Sequence, residues 1–307
     1  MTADPDASPS RITTARAVAR RYSASLAHSM LELPRRADPR PHARPTFLIV
    51  GAQRCGTTSL FRALAAHPAV CGPGRAHEVH YFDVNYGRSQ SWYEDHFPAV
   101  ATVRAIEERV GERVQVGESS PYYMFHPLAP GRLAAALPRV KLLVLLRDPV
   151  GRAISAHGHE VRHGFEREPL ERALALEPER VAGERERLAK DPNARSFAWQ
   201  HYAYMTRGRY SEQLRVLFDK VGRDNVLVLD SHDLFNDSAD GLGRVLEFLG
   251  LSRPPSLELG RHNAGTPVDV PEALVRRLRA DLSDDDARLV DLLGWTPAWL
   301  RTKSVLP

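Results

Sequence analysis

TFLIVGAQRCGTTSLFRAL, residues 46–64, runs from an apolar segment through a glycine loop into a helical pattern. A short continuous apolar run of this kind fits a strand buried on both faces, as in a parallel sheet. After the loop, Leu60, Phe61 and Leu64 recur at helical spacing. Gly51 and Gly56 stand at the spacing of a nucleotide phosphate loop, G-x-x-x-x-G-K-S/T, with Thr57 where that loop carries lysine. In a strand–loop–helix unit the backbone N–H groups of the loop and of the first helical turn point at one spot and join the helix dipole there to bind an anion. Thr57, Thr58 and Ser59 add hydroxyl donors. Two glycines alone fit an ordinary turn equally well.

Further strands are expected in VQVGESS (114–120), VKLLVLLRDP (140–149) and NVLVLD (225–230), with helical patterns between them. That alternation predicts an α/β fold: a phosphate-loop-like wound parallel sheet flanked by helices, forming one domain over 46–307. Residues 163–200 are charged and helix-prone and interrupt the alternation, so they are expected to form a helical insertion or lid. ADGLGRVLEFLGL reads as a helix ending at Gly250, and two short helices, 271–281 and 283–293, are expected after it. Residues 1–45 are rich in Arg, Ala, Ser and Pro, and carry apolar residues at helical spacing with arginines between them. They read as a basic tail or amphipathic helix, packed on its own protein or lying on an anionic membrane surface.

The 307 residues suit one large α/β domain, and 43% apolar and 26% charged residues are ordinary for a globular protein. A net charge of +4 leans toward an anionic ligand. Lysine occurs only at 141, 190, 220 and 303, so any cation at the glycine loop must be arginine. Two cysteines, Cys55 and Cys71, are too few for a disulfide framework and lack metal-ligand spacing. No apolar stretch approaches the ~18 residues of a membrane span, nor is there a signal-peptide pattern. The expected setting is cytoplasmic, and the arginine- and alanine-rich, lysine-poor composition suggests a bacterial source.

A second constellation is LLRDPVGRAISAH (145–157). Ligands of a wound sheet gather at the carboxyl ends of its strands. Arg147, ending the strongest strand, therefore projects toward the glycine loop, with Ser155 in the following helix. A guanidinium fork suits phosphate oxygens. Two anion sites at two strand ends imply a ligand with two separated phosphate-like groups.

Together, FLIVGAQRCGTTSLFRALAAHP and LLVLLRDPVGRAISAH resemble the sulfotransferases that use 3′-phosphoadenosine 5′-phosphosulfate (PAPS). HEVHYFDVNYGRSQSWYEDHFP, VGESSPYYMFHP, RGRYSEQLRVLFD and NVLVLDSHDLFND are similar to segments of the glycosaminoglycan (heparan sulfate) branch. The resemblance runs from about residue 45 to 250. It implies transfer of a sulfuryl group from PAPS to a hydroxyl or amine of a carbohydrate, glycolipid or secondary metabolite, leaving adenosine 3′,5′-bisphosphate (PAP), with no metal required. Carried over by position, Arg54, Cys55, Gly56, Thr57, Thr58 and Ser59 would hold the phosphosulfate, and Arg147 with Ser155 the 3′-phosphate. A late loop, GRHNAGTP (260–267), adds Asn263 and Gly265 to the nucleotide side. Glu78 would be the general base, and His80 and Asp83 would flank it and orient the acceptor, beside Ser119.

This chain departs from the family pattern at two places. Arg54 stands where the family usually has lysine; it supplies the charge but is a poor proton donor. Ser119 replaces a lysine that the glycosaminoglycan enzymes use toward substrate, so the acceptor need not be the same polyanion. Histidines 157, 159 and 163 follow Ser155, and His159 and His163, four apart, are expected to share a helix face without forming a zinc pair. The expected partners are the nucleotide and a small-molecule or glycan acceptor, with no nucleic acid; oligomeric state is not readable. Two alternatives stay open: a phosphate-loop kinase or NTPase, with Asp230 as its magnesium carboxylate, and a non-catalytic nucleotide-binding protein on the same scaffold. The absence of G-x-G-x-x-G from the loop argues against a nicotinamide-binding fold.

Overall fold

The computed structural model describes residues 40–74, 78–254, 257–260 and 270–301. Among these, five strands pair in one all-parallel sheet. They are β1 (Phe47–Gly51), β2 (Val70–Cys71), β3 (Gln115–Ser119), β4 (Lys141–Leu146) and β5 (Val226–Asp230), in the spatial order β2-β3-β1-β4-β5. Every residue of β1 is buried, as a strand covered on both faces requires. Gly117 of β3 pairs with Phe47, and a Cβ there would come within 2.4 Å of the Phe47 ring. The glycine is what lets that ring lie flat across the neighbouring strand.

The helices are α1 (Thr57–Ala65), α2 (Gln90–Glu94), α3 (Val100–Val110), α4 (Ala129–Ala136), α5 (Pro149–Arg162), α6 (Leu170–Val181), α7 (Glu184–Lys190), α8 (Phe197–His201), α9 (Tyr210–Val221), α10 (Ser231–Asn236), α11 (Ser238–Leu249), α12 (Glu272–Leu293) and α13 (Ala298–Arg301). The α5 start is set by its sequence: Asp148 caps it by accepting the Val150 N–H at 3.2 Å, and Pro149 takes the first helical position. Gly250, in the left-handed conformation, ends α11 at the expected stop.

The main core gathers the sheet with α1, α4, α9 and α11. A second apolar cluster joins α5, α6 and α12 through Val150, Ala153, Leu174, Tyr204, Val275 and Leu278. Residues 163–200 form α6, α7 and most of α8, and Leu188 and Trp199 from this region pack on Tyr122 and Phe125. The two short helices expected at 271–281 and 283–293 are instead the single 22-residue α12. Its Ser283-Asp284-Asp285-Asp286 run resembles a helix start, but Leu278, Leu282, Leu289 and Leu293 stay on one buried stripe through it. Asp285, buried in the same stripe, accepts the Ser211 N–H and hydroxyl at 3.2 and 2.5 Å.

Candidate active site

The glycine loop leaves β1 at its carboxyl end and enters α1 through Gly56, whose φ of 92° is left-handed. Gly56 brings no side chain to cap the helix, so the orphan N–H groups of the first turn face the loop. Such an end is a ready anion cradle. Cys55 turns inward: its thiol is buried, 3.8 Å from the Tyr210 hydroxyl, and burial holds its pKa above the ordinary thiol value. Thr57 and Ser59 are also buried, so among the loop residues expected to bind, Arg54, Gly56 and Thr58 are the ones with open surface. Cys55, Thr57 and Ser59 can meet a ligand chiefly through their backbone.

Arg54 reaches across to α5. Its Nε donates to the Ser155 hydroxyl at 3.2 Å, and an Nη lies 3.5 Å from His159 Nδ1. A guanidinium only donates, so His159 must accept there and carry its proton on Nε2. Burial, with Arg54 alongside, pushes the His159 pKa down to about 4 and keeps it neutral. The Arg54 pKa is itself lowered, first by burial and then by repulsion from Arg162 and Arg147. Arg147 leaves β4, lies over Gly151 on the same face of α5 as Ser155, and makes no ion pair among the described residues. Arg54, repelled by both Arg147 and Arg162 and next to an uncapped helix start, suits an anionic ligand.

Two buried side chains at the entry to α9 hold these parts in place. Arg207 bonds Gln53 of the glycine loop and the Trp199 and Gln200 carbonyls, and lies over the Phe125 ring at 4.7 Å. Burial lowers its pKa to about 10, so it stays charged at neutral pH. The Tyr210 hydroxyl donates to the Arg147 carbonyl at 3.1 Å. RGRY reads in the sequence as the start of a helix, and nothing in that reading shows that it ties down both the glycine loop and the end of β4. Its only local signal is an arginine and a tyrosine three residues apart.

On the other side of β1, Glu78, His80 and Asp83 line up. His80 Nε2 lies 2.9 Å from Glu78 Oε2, and its Nδ1 lies 2.8 Å from Asp83 Oδ2. Burial works against the charged ring, but Asp83 and then Glu78 outweigh it and hold the His80 pKa well above its ordinary value. Glu78 is exposed, with 42% of its side chain accessible, whereas that of Asp83 is fully buried. Asp83, expected to touch the acceptor, lies instead behind His80, where its other oxygen accepts the Val84 N–H. Its contact with this line of groups is through the imidazole.

Ser119 ends β3, buried, and its hydroxyl has no hydrogen-bond partner among the described residues. The neighbouring Glu118 and Ser120, which the sequence does not single out, bond the 79–80 backbone. Asn263 and Gly265 lie outside the described residues. Of the aromatics near the crevice, Tyr93, Phe97, Tyr122, Tyr123, Trp199 and Tyr204 are core. Trp92 and Tyr202 are partly buried. His159 and His163 do share a face, with ring centroids 4.1 Å apart. Among the described residues no group of three His, Cys, Asp or Glu side chains is placed to hold a metal ion.

Arg147, the glycine loop and the Ser120 region therefore leave three adjacent strands, β4, β1 and β3, at the carboxyl end of the sheet. At ~4.8 Å per strand, the two flanking sets stand roughly 10 Å apart, with the loop between them.

Comparison with known proteins finds relatives in both sequence and fold. The sulfotransferase domain family model matches residues 44–262. The human heparan sulfate glucosamine 3-O-sulfotransferase 6 is 28% identical over 299 residues, which is 87% of this chain and 77% of that protein. The bovine bifunctional heparan sulfate N-deacetylase/N-sulfotransferase 2 is 29% identical over 214 residues, 68% of this chain but only 22% of that much longer protein. Among solved structures, a sulfotransferase from Alicyclobacillus acidocaldarius superposes with a TM-score of 0.63 at 30% identity, covering 85% of this chain and 100% of that one.

Proposed function

The chain belongs to the sulfotransferase domain family, and from that premise we propose that it moves a sulfuryl group from PAPS to a hydroxyl, or an amine, of an acceptor. The observation that carries this reading is the convergence at the carboxyl end of the sheet of Arg54, Arg147, Ser155 and the uncapped start of α1 on one side, with the Glu78–His80–Asp83 line on the other. The first set suits a ligand with two phosphate-like groups, and the second suits removal of a proton.

In this reading the loop N–H groups and Arg54 hold the phosphosulfate, and Arg147 with Ser155 hold the 3′-phosphate. An acceptor oxygen forms a bond to sulfur as the bond from sulfur to the 5′-phosphate oxygen breaks. Glu78 takes the acceptor proton, and the leaving electron pair stays on the nucleotide as added negative charge beside Arg54. By analogy with phosphoryl transfer, the protein chiefly positions the reactants and neutralises charge. Arg54 acts as a fixed cation and not as an acid. His80, donating to both carboxylates, aims Glu78 and leaves its second oxygen for the acceptor.

A carbohydrate hydroxyl or amine is the acceptor class that the relatives acting on heparan sulfate favour. A glycolipid or a secondary metabolite presents the same chemistry. The kinase alternative loses support at Asp230. One oxygen accepts the His232 N–H at 2.8 Å and the other accepts the Ala298 N–H at 2.6 Å, so the carboxylate is committed to caps.

The test is isothermal titration with PAP, without magnesium, on the wild type and on Arg147→Ala. Micromolar binding, about −8 kcal/mol, that weakens tenfold or more in the variant supports the donor site; no binding in the wild type refutes it. Glu78→Gln separates an enzyme from a non-catalytic scaffold, because it should keep PAP binding while losing sulfuryl transfer.

A further inference from the structure

We propose that Glu118 is a positioning residue whose buried carboxylate fixes the backbone from Val79 to Tyr81 and thereby sets the reach of Glu78 and His80. The proposal rests on the reading of Glu78 as the base. Glu118 is fully buried, and its carboxylate accepts four hydrogen bonds. Oε2 takes the Val79 N–H at 3.0 Å and the Ser120 hydroxyl at 2.6 Å. Oε1 takes the Tyr93 and Tyr123 hydroxyls at 3.0 and 2.9 Å. That fills the roughly four lone-pair sites an ionised carboxylate offers.

Two of those hydroxyls pass the connection on. Ser120 Oγ accepts the His80 N–H at 3.1 Å, and the Tyr123 hydroxyl oxygen accepts the Tyr81 N–H at 2.8 Å. Three consecutive backbone amides are thus held by one carboxylate, the first directly and the next two through a single hydroxyl each. A hydroxyl that donates to a carboxylate becomes a better acceptor, so the two bonds of each relay strengthen one another. Asn85 holds the segment from the carbonyl side: its Nδ2 donates to the Val79 carbonyl at 3.0 Å and its N–H to the His80 carbonyl at 2.9 Å.

The segment needs such holding, because residues 78–80 belong to no helix or strand. His80 itself sits at a φ of 53°, which a non-glycine residue adopts only where its surroundings impose it. Replacing the carboxylate by an amide removes one of the two acceptor oxygens and sets an NH2 group against the two donors that pointed at it. The segment must then shift, and His80 moves with it away from the Asp83–Glu78 line.

The experiment tracks the His80 ring by NMR titration in the wild type, Glu118→Gln and Ser120→Ala, with PAP affinity and thermal unfolding measured alongside. Ser211→Ala, which removes a buried hydroxyl bond to Asp285, controls for destabilisation. In the wild type the ring should titrate well above ~6.5. In Glu118→Gln and Ser120→Ala the midpoint should fall by about one pH unit or more toward that ordinary value, while PAP affinity stays within about twofold. Ser211→Ala should move neither readout. A wild-type midpoint already near ~6.5, or an unchanged midpoint in the variants, overturns the proposal. If Glu118→Gln fails to fold, Ser120→Ala, which cuts the relay to His80 and leaves the Val79, Tyr93 and Tyr123 bonds to Glu118 in place, decides. Sulfuryl transfer by Glu78→Gln is scored separately: an active Glu78→Gln protein refutes the base assignment, and the titration by itself still decides the anchoring.

Discussion

Gly56→Ala should destabilise the protein by about 2–5 kcal/mol, from two sources that can be separated. Gly56 has a φ of 92°, and placing a Cβ on a left-handed residue costs about 1–2 kcal/mol. That Cβ would also come 2.5 Å from Cε2 and 2.8 Å from Cζ of the Phe235 ring. Ordinary carbon contacts lie near 3.5–4.0 Å, so the intrusion is about 1 Å and adds roughly 1–3 kcal/mol of overpacking. Phe235→Ala removes the second source and leaves the first. A urea-unfolding cycle of the two single variants and the double variant should therefore show a favourable coupling of about 1–3 kcal/mol. PAP affinity should fall in Gly56→Ala, because the loop must re-form around the new side chain, and should partly return in the double variant. A Gly56→Ala protein within about 0.5 kcal/mol of wild type would refute the left-handed helix entry. A full loss that Phe235→Ala does not relieve would refute the packing part of the argument.

Other sites carry their own expectations. Glu177 accepts the Met205 and Thr206 N–H groups at 2.7 and 2.8 Å and so holds the turn that presents Arg207. Glu177→Ala should cost about 3–6 kcal/mol, from two hydrogen bonds to a charged group at about 1.5–3 kcal/mol each, and Glu177→Gln should recover part of it in urea unfolding. Burial lifts the Asp286 pKa to about 6, from an ordinary value of 3.8. Between those values the native state keeps a proton that the unfolded state has released, so this residue makes stability fall as pH rises from about 4 to about 6. Asp286→Asn should flatten that fall and raise the Tm at pH 7 relative to wild type, which calorimetry across pH will show. Cys55 is buried and its pKa is raised by burial, so in the native protein iodoacetamide should label the half-buried Cys71 first, with the second adduct appearing only after unfolding, as read by mass spectrometry.

Legibility in the sequence depends on the range of the interactions. Four strands are readable because β1, β3, β4 and β5 sit inside continuous apolar or β-prone runs, whereas Val70–Cys71 has two residues and pairs only with β3. Arg54, Gly56 and Arg147 stand out because each lies within a few residues of a strand end, where the local pattern itself marks the place, and Ser155 because it follows Arg147 inside the next helix. Glu118 is not, since GESS reads as the close of a strand and the groups that explain it, from Val79 and Tyr93, arrive from 39 and 25 residues away. The buried state of Asp83 is hidden for a similar reason: only the packed segment shows that His80 stands in front of it. Along α12, polar residues that look like a helix boundary stay helical because Asp285 finds Ser211, a partner 74 residues distant.

The central place of β1 bears on how such a protein can change. On the proposed reading, the donor is held by the segments that leave β1 and β4, and the acceptor meets those that leave β2 and β3. The two sets share one end of the sheet but few covalent neighbours, so a lineage can exchange acceptors while its donor chemistry stays put. The Glu118 network sets the smallest piece that can move. Residues 78–93 and 118–123 are tied by hydrogen bonds that cross from one to the other, and a laboratory graft of new acceptor specificity must carry both or lose the alignment of Glu78.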